Sequence, residues 1–104
     1  MALDIKKSFN DEKKVWNVEL TGEVDIYTSN ILKETLNELI LKEETDIVLD
    51  CEKLDYIDST GLGVLIGILK RLKNNEKNII IANPKSNISK LFKITGLDKI
   101  FIME

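Results

Sequence analysis

A chain of 104 residues, 43% hydrophobic and 32% charged, has the size and balance of one folded domain rather than of a disordered or membrane-embedded segment. Its formal net charge of −3 and isoelectric point near 5.1 argue against a surface built for nucleic acid or an anionic membrane. With no histidine and one cysteine, the chain cannot form a Ser-His-Asp or Cys-His pair, a histidine metal site, an internal disulfide or a cysteine-rich zinc site.

Residues 2–9 alternate, with Leu3, Ile5 and Phe9 opposite Asp4, Lys6 and Ser8. After a polar turn at 10–13, residues 15–21 alternate again, setting Trp16, Val18 and Leu20 against Asn17, Glu19 and Thr21. Two such runs around a short turn predict a β-hairpin with one buried face. The N-terminus has no signal-peptide core, and no apolar run approaches the roughly 18 residues of a membrane span. A cytoplasmic protein is expected.

Residues 22–27 connect to a helix beginning near Thr28-Ser29-Asn30, whose inner face is read as Ile31, Leu32, Thr35, Leu36, Leu39 and Ile40. The next strand covers 46–51, and 52–57 lead into a helix running from Ser59 to about Asn74. Its stripe is Leu62, Leu65, Ile66, Leu69 and Leu72, which leaves Gly63 and Gly67 to one side. Three successive isoleucines mark a strand at 78–82, broken by Asn83-Pro84. A short helix from Ser86 turns Ile88, Leu91, Phe92 and Thr95 inward and stops at Gly96, and 100–102 form a last strand.

The order β-β-α-β-α-β-α-β predicts a single α/β domain over 1–104. Its mixed sheet would hold an N-terminal antiparallel hairpin followed by parallel strands, with helices packed mainly on one face. The connectors at 23–27, 54–59 and 83–85 then emerge on one rim, the carboxyl rim where open α/β sheets bind ligands.

The centre of that rim is Asp58-Ser59-Thr60-Gly61-Leu62-Gly63. Asp58 and Ser59 stand where a helix N-cap belongs. Ser59 is either a plain cap or a place where charge is added and removed. Gly61, Gly63 and Gly67 miss the spacing of a dinucleotide fingerprint and lie inside the helix rather than before it. Gly63 and Gly67 could admit a second helix or serve internal packing. Asp25, Asp55 and Asp58 could gather a cation or act as capping and loop carboxylates. Lys70, Arg71 and Lys73 read as a solvated helix face, and Cys51 as buried packing.

Three segments carry a resemblance over nearly the whole chain: residues 22–27, 56–63 and 91–97. They resemble the anti-sigma factor antagonists of bacteria, members of the STAS domain family. The resemblance implies that Ser59 is phosphorylated by a partner that is both anti-sigma factor and serine kinase. It also implies that the unphosphorylated form binds that partner and frees a sigma factor, and that a separate PP2C-type phosphatase resets the serine. On that reading the protein is no enzyme and needs no cofactor or metal. The expected contact residues are Val24, Asp25 and Tyr27 on the rim and Asp58, Thr60, Leu62 and Gly63 on the helix. A STAS scaffold subunit of a larger signalling complex and a weak nucleotide-binding module are the competing classes.

Overall fold

Each strand after the hairpin is laid down beside its predecessor, so the five strands stand in chain order across the sheet. The computed structural model describes residues 2–104. Strands β1 (Leu3–Asn10) and β2 (Val15–Val24) pair antiparallel, and β3 (Asp46–Ile57), β4 (Ile79–Ala82) and β5 (Ile102–Met103) each add in parallel. Helices α1 (Ser29–Lys42), α2 (Ser59–Lys73) and α3 (Ser86–Ile94) are the crossovers, with a single 3-10 turn (Leu97–Lys99) before β5.

The alternation of the hairpin decides which face the helices cover. Trp16, Val18 and Leu20 of β2 are buried with Ile47 and Leu49 of β3 and Ile79 and Ile81 of β4, while Lys6, Ser8 and Asn17 on the other face stay exposed. The helices close one common core over that face with Leu32, Leu36, Leu39, Leu65, Leu69, Leu72, Ile88 and Phe92. Burying a side chain of this size contributes about 1.5–3 kcal/mol relative to leaving it exposed. Trp16 fills the end of the core and donates its ring N–H to the Glu43 carbonyl at 2.9 Å, so its polar edge is not stranded.

Several boundaries differ from the sequence expectation. Strand β3 runs on to Ile57, whereas its regular alternation ends at Cys51. Its register against β2 slips twice, between Glu19 and Thr21 and between Gly22 and Glu23, each time placing one extra residue on β3. These are β-bulges, and they lengthen the burial period from two to three, so that Cys51, Leu54 and Ile57 are the buried positions. Gly22, opposite the second bulge, holds φ 112°, and a Cβ there would lie 2.2 Å from the Ala2 carbonyl oxygen. Only glycine suits both constraints.

On α1, Ile31 is 53% exposed, because the buried row is Leu32, Leu36, Leu39 and Ile40 and Ile31 falls on its flank. On α2, Ile68 is buried and Ile66 only partly so, since the helix packs against α1 as well as the sheet and Ile68 turns to that side. Thr95 is exposed and returns its hydroxyl to the Leu91 carbonyl at 2.8 Å. Gly96 ends α3 with φ 76°. The last strand begins at Ile102 because Ile100 and Phe101 still donate their amides to Leu97, closing the 3-10 turn.

Candidate functional site

The rim predicted from topology is assembled around the start of α2. The Asp58 amide donates to the Val24 carbonyl at 3.1 Å, which ties the end of β3 to the end of β2 just before the helix begins. Gly61 then brings the helix down onto both strands. A Cβ at this position would lie 2.6 Å from Cγ1 of Val24 and 2.7 Å from Cγ1 of Ile57, so the close approach requires glycine. Gly63 and Gly67 have nothing within 4 Å of such a Cβ and face open space.

Beside this junction the chain leaves β2 through a turn organised by Asp25. Its Oδ1 accepts the amides of Tyr27 at 2.9 Å and Thr28 at 3.1 Å, and its own amide donates to the Thr28 hydroxyl oxygen at 2.9 Å. The Thr28 hydroxyl in turn reaches the Glu23 carbonyl at 2.9 Å. Thr28 precedes α1 without capping it through its side chain; its hydroxyl is spent on this turn. The turn throws Ile26 and Tyr27 outward, and Tyr27 is 81% exposed.

The cap of α2 is Asp58, not Ser59. Asp58 has an extended backbone (φ −104°, ψ −173°), and its Oδ1 accepts the Thr60 hydroxyl at 2.5 Å, the Thr60 amide at 3.0 Å and the Gly61 amide at 3.1 Å. The Thr60 hydroxyl, followed by the Gly61 amide, holds the Asp58 carboxyl below its ordinary range and keeps it charged. Ser59 is the first helical residue; its side chain is exposed and makes no hydrogen bond among the described residues. Of two adjacent hydroxyls at the helix start, Thr60 is engaged and Ser59 is free.

Two grooves flank this helix end. Toward α3, Ser59 lines a groove of ≈ 480 Å³ with Tyr56, Leu62, Asn87, Leu91 and Thr95. Toward α1, Thr60 heads a second groove floored by Gly63 and Gly67 and walled by Lys33 and Asn37. The Arg71 guanidinium donates to the side-chain Oδ1 of Asn37 at 2.6 Å and steadies that wall. Asp55 pairs with Lys85, and its carbonyl accepts from Asn87 at 3.0 Å, which locks the end of β3 to the head of α3.

Of the expected contact residues, Tyr27, Thr60 and Gly63 lie exposed around one helix end together with Ser59, the expected phosphorylation site, and Asp58 is partly exposed among them. Val24, Asp25 and Leu62 do not join that surface. They are 0%, 6% and 7% exposed, because Gly61 draws α2 tightly onto the strand ends and Asp25 is consumed by its own turn. They shape the surface from beneath. Conversely, exposed Ile26 and Tyr56 stand on the rim, outside the expected contact set. Tyr56 sits beyond the second bulge, where its outward direction cannot be read from a two-residue period. The carboxylates Asp25, Asp55 and Asp58 are each engaged with separate partners, and no cluster of metal-ligating side chains occurs among the described residues. The Thr60 and Gly61 amides are held by Asp58, so the glycine-rich turn offers no open phosphate cradle. No helix among the described residues is long and apolar enough to cross a membrane.

The family model for the STAS domain matches residues 9–104. A Staphylococcus aureus protein named anti-sigma-B factor antagonist is 39% identical over 97 residues, covering 93% of this chain and 88% of its own. A protein of the same name from Staphylococcus epidermidis is 37% identical over the same coverage. Among solved structures, the anti-sigma factor antagonist SpoIIAA in its unphosphorylated form superposes with a TM-score of 0.80 at 22% identity, covering 99% of this chain and 88% of that one. The Bacillus cell fate determinant SpoIIAA in its phosphorylated form superposes with a TM-score of 0.74 at 23% identity, covering 99% and 91%. The two solved structures share the fold.

Proposed function

The chain belongs to the STAS domain family, and from that membership we propose that it is an anti-sigma factor antagonist, switched by phosphorylation of Ser59. The unphosphorylated form binds an anti-sigma factor that is also a serine kinase, and a sigma factor is thereby released in the cytoplasm. A PP2C-type phosphatase restores the serine. The observation that carries this reading is the free, exposed hydroxyl of Ser59 at the head of α2. It is supported by the antagonist names of the Staphylococcus relatives and by the existence of SpoIIAA in both unphosphorylated and phosphorylated forms.

The chemistry belongs to the partner. The Ser59 Oγ–P bond forms as the bond between the γ-phosphorus of ATP and its bridging oxygen breaks; ADP leaves, and the hydroxyl proton passes to a base on the kinase. This chain supplies the acceptor and the surface around it, chiefly Tyr27, Asp58, Thr60 and Gly63, with Ile26 and Tyr56 as apolar contacts. Val24, Asp25 and Leu62 hold those residues in place. Binding is lost on phosphorylation because a group bearing about −1.5 to −2 charges enters an interface already containing the Asp58 carboxylate. A hundredfold loss of affinity requires about 2.7 kcal/mol. Desolvating an unpaired phosphate readily costs more.

The test is a pull-down from the source cell with wild type and Ser59→Asp side by side. A kinase-type anti-sigma factor retained by wild type alone is the expected result. Equal retention by both would overturn the switch.

A further inference from the structure

We infer that Asp58 withholds the N-terminus of α2 from the phosphate on Ser59, so that the modified serine carries its charge in solvent rather than seated on the helix; this rests on the switch proposed above. A helix normally opens with four N–H groups in need of acceptors. Here the Thr60 and Gly61 amides are bonded to Asp58 Oδ1, and the Leu62 amide donates to the Asp58 carbonyl at 3.0 Å. Only the amide of Ser59 itself remains. A phosphate on Ser59 Oγ therefore finds no pair of free amides to settle on and stands beside a charged carboxylate.

The other charged groups around it do not relieve this. Asp55, at the end of β3, is neutralised by Lys85 from the head of α3. Glu23, the register partner of Tyr56 on β2, has its Oε1 buried without a hydrogen-bond partner among the described residues and brings no positive charge to the rim. Lys33 of α1 is the cation that shares a groove with Thr60. No ion pair reaches Asp58 among the described residues. A phosphate held this way is open to a binding partner, which reads it as charge, and to a phosphatase, which must reach it. Seated on the helix amides it would be partly neutralised and shielded from both.

The experiment places phosphoserine at position 59 during expression, which needs no kinase, and follows its second ionisation by 31P NMR. Three proteins are compared: the wild-type sequence, Asp58→Asn, which keeps a good cap but removes its charge, and Asp58→Ala, which frees the amides. The wild-type midpoint should lie at or above about 6, the ordinary value for a phosphoserine. The midpoint should fall in Asp58→Asn and fall further in Asp58→Ala. Only in the Ala variant should the Thr60 and Gly61 amide protons move as the phosphate ionises. A wild-type midpoint below about 6 accompanied by movement of those amides would show that the phosphate displaces Asp58, and the inference would be wrong. Equal midpoints in all three would overturn it as well. Whether a cellular kinase modifies Ser59 is read separately by mass spectrometry, so a failed kinase reaction strikes the switch while the titration stands.

Discussion

Gly61 sits so close to Val24 that a single added methyl group would overlap the valine side chain, at 2.6 Å from its Cγ1. That contact sets how far α2 descends onto the strand ends, and so where Ser59 and Asp58 stand relative to the Asp25 turn. Gly61→Ala should cost about 1–3 kcal/mol through overpacking, because Val24 and Ile57 are both buried and β-branched. Chemical denaturation measures it. A variant as stable as wild type would show that the rim relaxes freely and that its geometry is not set here.

Ser59→Ala should change stability by no more than about 0.5 kcal/mol, since Ser59 caps nothing. Asp58→Ala should have a clearly lower denaturation midpoint, since three hydrogen bonds to its carboxylate disappear. Incubated with the captured kinase and ATP, Ser59→Ala should gain no phosphate, because the neighbouring Thr60 hydroxyl is committed to Asp58. Phosphate on Thr60 in this variant would move the acceptor by one residue.

The parts of this site that were legible in the sequence are those that follow a regular period. The hairpin, the helices and their order rest on alternation and on three- and four-residue spacing, which Trp16-Val18-Leu20 and Leu32-Leu36-Leu39 display plainly. Strand β3 defied extension past Cys51 because two bulges change its period, and no local residue announces a bulge that is specified by the partner strand. Asp58 and Ser59 are both good caps; the extended backbone of Asp58 separates them, and that conformation comes from its tie to Val24. Burial of Val24 and Leu62 depends on the same junction. Sequence located the rim correctly and could not say which of its residues lie on top.

Gly63→Leu should leave the domain folded, because the position opens on solvent above the α1–α2 groove. Replacing glycine inside an exposed helix should even raise stability, by up to about 1 kcal/mol. Partner binding should fall at least tenfold if the kinase approaches across this groove, as measured by calorimetry with the captured partner. Unchanged affinity would remove Gly63 from the interface and leave the α3 side of Ser59 as the docking route.

Cys51 should be inert in the folded protein. It is 2% exposed, and burial, aided by the nearby Asp50 charge, pushes its thiol up to about 12. Near pH 8 only about one thiol in ten thousand would be ionised, against a substantial fraction of an ordinary cysteine with a value near 8.5. Reaction with a thiol-specific reagent at pH 8 should be slow in buffer and fast in denaturant, and it should accelerate as pH rises toward 12. Rapid labelling of native protein would indicate that the core opens around β3.

The final prediction separates two ways in which phosphorylation could break the complex. It could reshape the domain, or it could place charge in an interface that is otherwise unchanged. The geometry favours the second, because Ser59 Oγ is exposed and bonded to nothing that a phosphate would displace, while Asp58 continues to hold the helix start. Amide shift changes on phosphorylation should therefore concentrate at residues 23–27 and 54–65, with smaller ones at 83–85 through the Asp55–Lys85 pair. The melting temperature should move by only a few degrees, since about 1 kcal/mol shifts a domain of this size by about 4–8 °C. Affinity for the partner should nonetheless fall by about a hundredfold or more. Added salt should recover only part of that loss, because screening reaches exposed charge far better than charge enclosed in an interface. Shift changes spreading through β1, the far end of β2 and β5 would show that the whole sheet responds, and the local account would then have to give way to a conformational one.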